Sequence, residues 1–372
     1  MNIALNRTKY KSLWFKFASK KNIIDDNRTI TLNYRSMRIL DYLGVWENLP
    51  KPPNPIHTIK VAKNFPKTRN DWLLNWKNEI RPMAYVVYNK NLQNIFTKIN
   101  KKVDTITIKS VKKQNNNILL EDNSNNKYIP DLTIGCDGSN SIFHKLFNIN
   151  KFNTTTNQIA IVANLKTEKK TNHTAYQRFL PDGPLALMPI SDYECSMVWT
   201  LSNYTFKNIS KNNNLFNKHI NESFGSELGT LSLNSKISNW HLNTFYLPKI
   251  SYPSLALIGE AAHVIHPLAG MGFNLNISDI KIIQNCLDSA FKLGLNPDHN
   301  FVLSEYEKKR SFEIKSFTLS THLLNKLFSN NFSYLSFLIE LGMIGLNKTN
   351  FKNIFMKIAD GSFFSSNDFY EK

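Results

Sequence analysis

Glycine is scarce in this chain. There are 13 glycines among 372 residues, and the first is Gly44. A glycine-rich GxGxxG phosphate loop therefore does not stand in the opening stretch, where a dinucleotide-binding fold would carry it. Cysteine is scarcer still. Cys136, Cys195 and Cys286 lie far apart and form no CxxC pair, which argues against a zinc site or a disulfide framework and fits a reducing compartment. No run reaches the roughly 18–20 apolar residues that a membrane-spanning helix needs. The nearest, Tyr334 to Leu346, is shorter and contains Glu340. The basic opening MNIALNRTKYKSLWFKFASKKN has no uninterrupted apolar centre and no small-residue cleavage site, so no secretory signal is expected. A GxSxG nucleophile elbow is also missing, which weakens any hydrolase reading.

Acid is in deficit. Asp and Glu number 28 against 46 Lys and Arg, for a net charge of +18 and a pI near 9.6. Such a charge suits nucleic acid or an anionic membrane surface. Against that, the lysines are scattered among Asn and Ile, as in KKQNNNILLEDNSNNKY and SKNNNLFNKHINES. These stretches read as loops from an AT-rich coding sequence, and no nucleic-acid motif accompanies them. No nucleic-acid partner is expected. What is present is an ordinary globular composition, 42% hydrophobic and 12% aromatic, in a chain long enough for two domains.

The pattern along the chain is α/β. MNIAL reads as a short strand. Arg35 to Leu49 has apolar residues at helical spacing, with Gly44 near its end. KPPNPIH is a breaker. AYVVYNKNLQNIFTKIN reads as a strand leading into a helix, VDTITIKSV and NNILLED as a hairpin, and DLTIGCDG as a buried strand ending in a tight turn. The middle differs: IAIVANLKT, TAYQRFLP, PLALMPI and CSMVWTLS are short β-type runs between breaks, as in an antiparallel sheet. SYPSLALIGE returns to the first style, and helices dominate from Ser278 onward. The expectation is a Rossmann-like α/β domain of residues 1–157 and 253–300, interrupted by an antiparallel-sheet domain of residues 158–252 and followed by a helical region, 301–372. A small-molecule site belongs at the junction.

ALIGEAAHVIHPLAGMGFNLNISD, from Ala256 to Asp279, carries the chemistry. A strand ending at Gly259 delivers the next residues to the carboxyl edge of the sheet, where open α/β sheets bind ligands. Glu260 offers a carboxylate to hydroxyls. Pro267 can lie flat beside an aromatic ring. Gly270 and Gly272 permit close backbone approach. A helix starting near Phe273 points N–H groups and its positive end at whatever sits in the turn. His263 and His266 stand three apart, but no third ligand is near, so no metal is expected.

HPLAGMGFNLNISD resembles the signature of the UbiH-type ubiquinone-biosynthesis hydroxylases, which are FAD-dependent aromatic monooxygenases of the para-hydroxybenzoate hydroxylase fold. DDNRTITLNYRSMRILDYLGVWENL resembles the family's Asp-x-Arg segment and following helix. AYVVYNKNLQ, DLTIGCDGSNSIFHK, QIAIVANLKTE and AYQRFLPDGPLALMPI resemble further family segments in the same order, from about Ile24 to Gly361. The resemblance implies bound FAD, NADH or NADPH as reductant, and hydroxylation of the aromatic ring of a polyprenyl-phenol in ubiquinone biosynthesis. It assigns no catalytic side chain, because the cofactor carries the chemistry. By match it assigns to cofactor binding Arg28, Lys90, Asp137, Gly138, Gly259, Glu260, Pro267, Gly270, Gly272, Phe273 and Asn274. Arg28 taken alone reads equally well as a solvated loop arginine.

The sequence departs from the family pattern in several places. The GxGxxG unit is not found, and MNIAL aligns with the family's second strand, which puts Asn6 and Arg7 where an acidic ribose-binding residue is expected. Glu260 replaces Asp, Lys90 replaces Arg, His144 replaces Arg, and Met271 and Asn276 replace Gln and Gly. These departures motivate an alternative: a truncated, inactive remnant that serves as a scaffold in the same pathway. A cytoplasmic protein is the default expectation, peripheral at the inner face of the membrane if a C-terminal amphipathic helix meets the bilayer that holds such a substrate. Phe312, Phe317, Phe328, Phe332 and Phe337 are read as helix core.

Overall fold

The computed structural model describes residues 1–17, 28–64, 66, 72–100, 105–154 and 158–329. Eight α-helices are described: α1 (Asn2–Leu5), α2 (Tyr34–Tyr42), α3 (Asn89–Asn100), α4 (Ile142–Leu146), α5 (Asn203–Ile209), α6 (Asn213–Phe224), α7 (Gly272–Lys292) and α8 (Asn300–Ser329). Residues Tyr334 to Leu346, Phe332 and Phe337 lie outside the described residues.

Two sheets share one core on the α/β side. In the first, Trp14–Phe17 runs parallel to Thr105–Gln114, which forms the expected hairpin with Asn117–Asp122. In the second, Thr133–Gly135 runs parallel to Leu255–Leu257, with Gly135 opposite Leu257. One apolar cluster joins them: Ile108, Val111, Ile118 and Leu120 from the first, Leu255, Ala256 and Leu257 from the second, and Ile282, Ile283, Val302 and Leu303 from α7 and α8. A third sheet, Thr29–Asn33 with Ala84–Tyr88 and Asn54–Ile56, stands beside them.

MNIAL is not a strand. It forms α1, whose Ala4 is fully buried beside Leu32, Ile39 and Leu92. Five apolar-leaning residues fit either period, and packing against α7 and α3 decides for the helix. The strand that follows is Trp14–Phe17. Asn6 and Arg7 therefore sit in the turn that ends α1, before that strand rather than after one.

The middle of the chain forms an eight-stranded sheet. The expected antiparallel strands Gln158–Thr167, Glu194–Ser202, Gly183–Ser191 and Thr174–Leu180 are adjacent in that order. The sheet is wider than the 158–252 boundary. Thr58–Lys63 adds in parallel to Thr174–Leu180, and Leu74–Lys77 pairs with it in turn. SKNNNLFNKHINES, read as loop, contains α6 instead. Phe216, Ile220 and Phe224 recur every four residues on its buried face, and the Asn212 side chain caps it by accepting from Leu215 N at 2.8 Å. This helix covers the sheet's buried face, packing with Ile161, Leu165, Leu187 and Trp199.

Candidate cofactor site

The two parallel strands of the second sheet set the site. Hydrogen bonding of Ile258 N to Gly135 O at 3.0 Å keeps their ends level. The chain segments leaving them, Asp137–Gly138 and Gly259–Glu260, therefore stand side by side at the carboxyl edge. Asp137 accepts Ile142 N at 2.9 Å, at the start of α4. Gly259 has φ +60, a left-handed conformation that explains glycine there. Glu260 is exposed, and among the described residues its carboxylate makes no hydrogen bond or ion pair. His144, where the family pattern has Arg, is buried and its Nε2 donates to Ala261 O at 2.7 Å. Burial pushes the His144 imidazole below its ordinary pKa, and the bond to Ala261 O partly offsets that.

The turn continues through Pro267 to the start of α7. Leu268 packs with Val61, Leu74 and Phe179 of the large sheet, so the turn bridges the two layers. Gly270 has φ +63, and a Cβ there would stand 3.1 Å from Thr31 Cβ. Helix α7 begins at Gly272, one residue before the expected start, and no side chain caps it. The first-turn N–H groups of a helix lack intrahelical acceptors. Those of Gly272, Phe273 and Asn274 face the turn end of a 21-residue helix.

Side chains in that first turn have other work. Phe273 packs toward Leu32, Ile39 and Ile277. Asn274 is buried, and its amide is occupied within the protein: Oδ1 accepts Asn33 N at 2.9 Å, while Nδ2 donates to Thr31 O at 2.9 Å and Gly270 O at 3.1 Å. Asn274 thus holds the turn against the strand Thr29–Asn33, and its side-chain amide is committed to that contact.

Arg28 and Lys90 lie near the other end of that strand. Asn89 N donates to Arg28 O at 2.9 Å. The Arg28 guanidinium lies 5.1 Å from the ring centroid of Trp240, in the large sheet. Lys90 lines a cavity of about 270 Å³ with Lys51, Asn164, Glu194 and Asn234. Arg28 is three residues from Thr31, which touches Gly270, so roughly 10 Å of strand separates this corner from the turn.

Sequence reasoning missed what stands behind the turn. Asp279, the last residue of the quoted stretch, accepts Gly259 N at 2.7 Å and His263 Nε2 at 2.8 Å on Oδ2, and Arg310 Nε at 2.6 Å on Oδ1. Arg310 also pairs with Glu313 and donates Nη2 to Leu275 O at 3.3 Å. Glu313 accepts Arg35 Nη1 from α2 at 3.2 Å. Nearby, Tyr306 donates its hydroxyl to Leu257 O at 2.8 Å. Burial raises the Asp279 carboxyl, but the charge of Arg310 and the bonds from His263 and Gly259 prevail and hold it below its ordinary value. His266, by contrast, is buried with neither ring nitrogen hydrogen-bonded among the described residues. Burial, aided by repulsion from His322, lowers its pKa to about 4.

The residues present suit FAD. A cradle at Gly270, an uncapped helix start and an unpartnered carboxylate at Glu260 offer, in turn, close approach to a flat ring, donors for its anionic edge, and an acceptor for chain hydroxyls. Comparison with known proteins gives the same cofactor. A family model described as FAD binding domain matches residues 19–311.

The chain belongs to this FAD-binding family.

A mitochondrial ubiquinone biosynthesis monooxygenase, COQ6, from Dictyostelium discoideum is 25% identical, covering 92% of this chain and 82% of the relative. Ubiquinone hydroxylase UbiL of Rhodospirillum rubrum is 26% identical, covering 91% and 80%. Among solved structures, Pseudomonas aeruginosa PqsL with 2-aminobenzoylacetate superposes at TM-score 0.75 with 16% identity, covering 93% of this chain and 95% of that one. Klebsiella pneumoniae HpxO with FAD and uric acid gives 0.74 with 12% identity, covering 98% and 93%. The fold is thus that of the FAD-dependent monooxygenases, as the resemblance implied. The chain is an FAD-dependent oxidoreductase of that group. The scaffold alternative is not favoured, since the relatives are monooxygenases. Among the described residues no helix is long and apolar enough to cross a membrane.

Proposed function

We propose that this chain hydroxylates the aromatic ring of a polyprenyl-phenol in ubiquinone biosynthesis, using FAD, NAD(P)H and O2. The observation that carries the reading is the juxtaposition of the Asp137–Gly138 and Gly259–Glu260 turns with the uncapped start of α7, at the face where Leu268 meets the large sheet. The relatives supply the pathway. Bound FAD, reduced by NAD(P)H, would supply the activated oxygen.

The chain's own residues bind, orient and exclude water. Glu260 accepts hydrogen bonds from the cofactor's hydroxyl-bearing chain. The N–H groups of Gly272, Phe273 and Asn274 hold negative charge at the ring edge, where a helix terminus favours it. Pro267 and Gly270 let the backbone lie against the ring. Arg28, Lys90, Asp137 and Gly138 flank the remainder of the cofactor. The apolar seam formed by Leu268, Val61, Leu74 and Phe179 would keep water from the junction, which limits side reactions of the chemistry the cofactor would supply.

The outer face of α8 supports contact with a lipid surface. Phe312, Leu319 and Leu323 are 70%, 46% and 54% exposed. Their spacings of seven and four put them on one stripe. Lys308 and Lys309 lie exposed one turn before it. Phe312 is therefore not helix core. Basic and apolar groups on one helix face suit an anionic bilayer, where a polyprenyl substrate resides.

The test is direct. The chain is purified with added FAD, desalted, and its visible absorption recorded. NADH or NADPH is then supplied with a short-tailed prenyl-phenol, and the product is weighed by mass spectrometry. The reading requires retained flavin and a product heavier by one oxygen atom. A colourless chain, or flavin turnover that yields peroxide and unchanged phenol with every prenyl-phenol tried, refutes it.

A further inference from the structure

The cluster behind the cofactor turn contains two arginines and two carboxylates, so its formal charges cancel. Asp279 and Arg310 are wholly buried, and His263, Arg35 and Glu313 nearly so. Replacing such a cluster by well-packed apolar residues is commonly neutral or stabilising. Fold stability alone is therefore a weak account of it. What an apolar core cannot do is accept a backbone N–H in a fixed direction. Asp279 does this for Gly259 and orients the His263 ring with the same oxygen.

The anchoring is rigid because Asp279 is itself held. Its second oxygen is gripped by Arg310, which is braced by Glu313 and Leu275 O, and Glu313 is braced by Arg35. Four segments of the chain converge there: α2, the turn, α7 and α8. Gly259 lies directly before Glu260. Asn274 pins the other end of the turn from the same helix. Helix α7 thus grips the turn at both ends.

We propose that Asp279 is a positioning residue for the cofactor: by holding Gly259 N–H and His263 on one carboxylate oxygen, it fixes where the Glu260 carboxylate stands and thereby sets FAD affinity. This rests on the reading that the turn from Gly259 to Asn274 holds FAD.

The test measures FAD dissociation by fluorescence quenching in the full chain, beside the thermal midpoint and circular dichroism of each variant without FAD. Asp279→Asn keeps the size but offers an amide N–H where one donor must be accepted. It is expected to weaken FAD binding about tenfold, the effect of one hydrogen bond to a charged group, under conditions where its circular dichroism matches that of the unsubstituted chain. His263→Gln, whose amide can still donate to Asp279, is expected to bind within about threefold of the unsubstituted chain, whereas His263→Leu is expected to weaken binding by about fivefold or more. The visible circular dichroism of bound flavin should shift in His263→Leu and be restored in His263→Gln, a signature that lost fold stability alone does not produce. A folded Asp279→Asn with unchanged affinity overturns the proposal. If Asp279→Asn does not fold, the two His263 variants decide, and equal affinities for Leu and Gln overturn it. An unsubstituted chain that takes up no FAD instead removes the cofactor reading on which the proposal stands.

Discussion

Acid should loosen this protein through His266. The imidazole is 4% exposed, and among the described residues both ring nitrogens lack hydrogen-bond partners. Protonating it places a charge in a site with nothing to receive it. Its pKa falls from an ordinary 6.5 to about 4 on folding, through burial first and repulsion from His322 second. The unfolded chain therefore binds the proton more readily than the folded one between these values. Stability from this group is fully present above the unfolded pKa and is lost as the pH falls toward the folded one. With those two values, lowering the pH from about 7.5 to about 5 removes about 2 kcal/mol. Urea unfolding at the two pH values reads this directly. Each carboxylate and His144 adds its own slope, so the comparison is with His266→Leu. The loss on acidification should be smaller in the variant by about 2 kcal/mol, even if its stability at neutral pH is lower. Equal losses in the two proteins would show that His266 is not a buried neutral imidazole and would refute the reasoning.

Further outcomes are expected elsewhere. Glu313→Ala leaves Arg310 and Arg35 without their shared carboxylate in a dry interior and should cost about 3–5 kcal/mol by urea unfolding; a loss under about 1 kcal/mol would mean that water reaches the cluster. Gly270→Val asks a β-branched residue to adopt φ +63 with its Cβ 3.1 Å from Thr31; it should cost about 1–3 kcal/mol and strip flavin on desalting, and a variant that keeps its flavin would count against the turn as a cofactor cradle. Replacing Phe312, Leu319 and Leu323 together by Ser should reduce sedimentation with anionic vesicles while leaving flavin content unchanged; undiminished sedimentation would move the lipid contact away from α8.

Much of the architecture was legible because periodicity was strong. Ala84–Tyr88 followed by α3, the hairpin of Thr105–Gln114 with Asn117–Asp122, and the strands from Gln158 to Ser202 stand where their patterns place them. Short or polar segments were not legible. MNIAL is too brief for its period to choose between helix and strand. In α6 the apolar residues are right for a helix, but the Asn and Lys around them give the segment the composition of a loop. Thr58–Lys63 joins the large sheet across more than a hundred residues, and no local signal announces such a pairing. The same limit applies at the site. Glycine turns and the start of α7 can be read locally. The cluster of Arg35, Asp279, Arg310 and Glu313 cannot, because a fully buried arginine on a helix looks in sequence like a solvated one. The YxxxR spacing of Tyr306 and Arg310 was the available hint: both side chains lie on one face of α8, and both are fully buried.

The cluster also bears on how the protein is made. Its contacts join Arg35 to Glu313 across 278 positions, and no shorter piece of the chain contains both ends. Synthesis runs from the N-terminus, so the strands that flank the cofactor turn emerge long before the helix that steadies it. Until α8 has left the ribosome, no arginine holds the second oxygen of Asp279, and α7 alone grips the Gly259 turn. A chain arrested before α8 would therefore leave open the part of the common core that Val302, Leu303, Tyr306 and Ile314 close. On the proposed reading of the turn, firm flavin capture waits for α8, because Arg310 on that helix holds the carboxylate that holds Gly259.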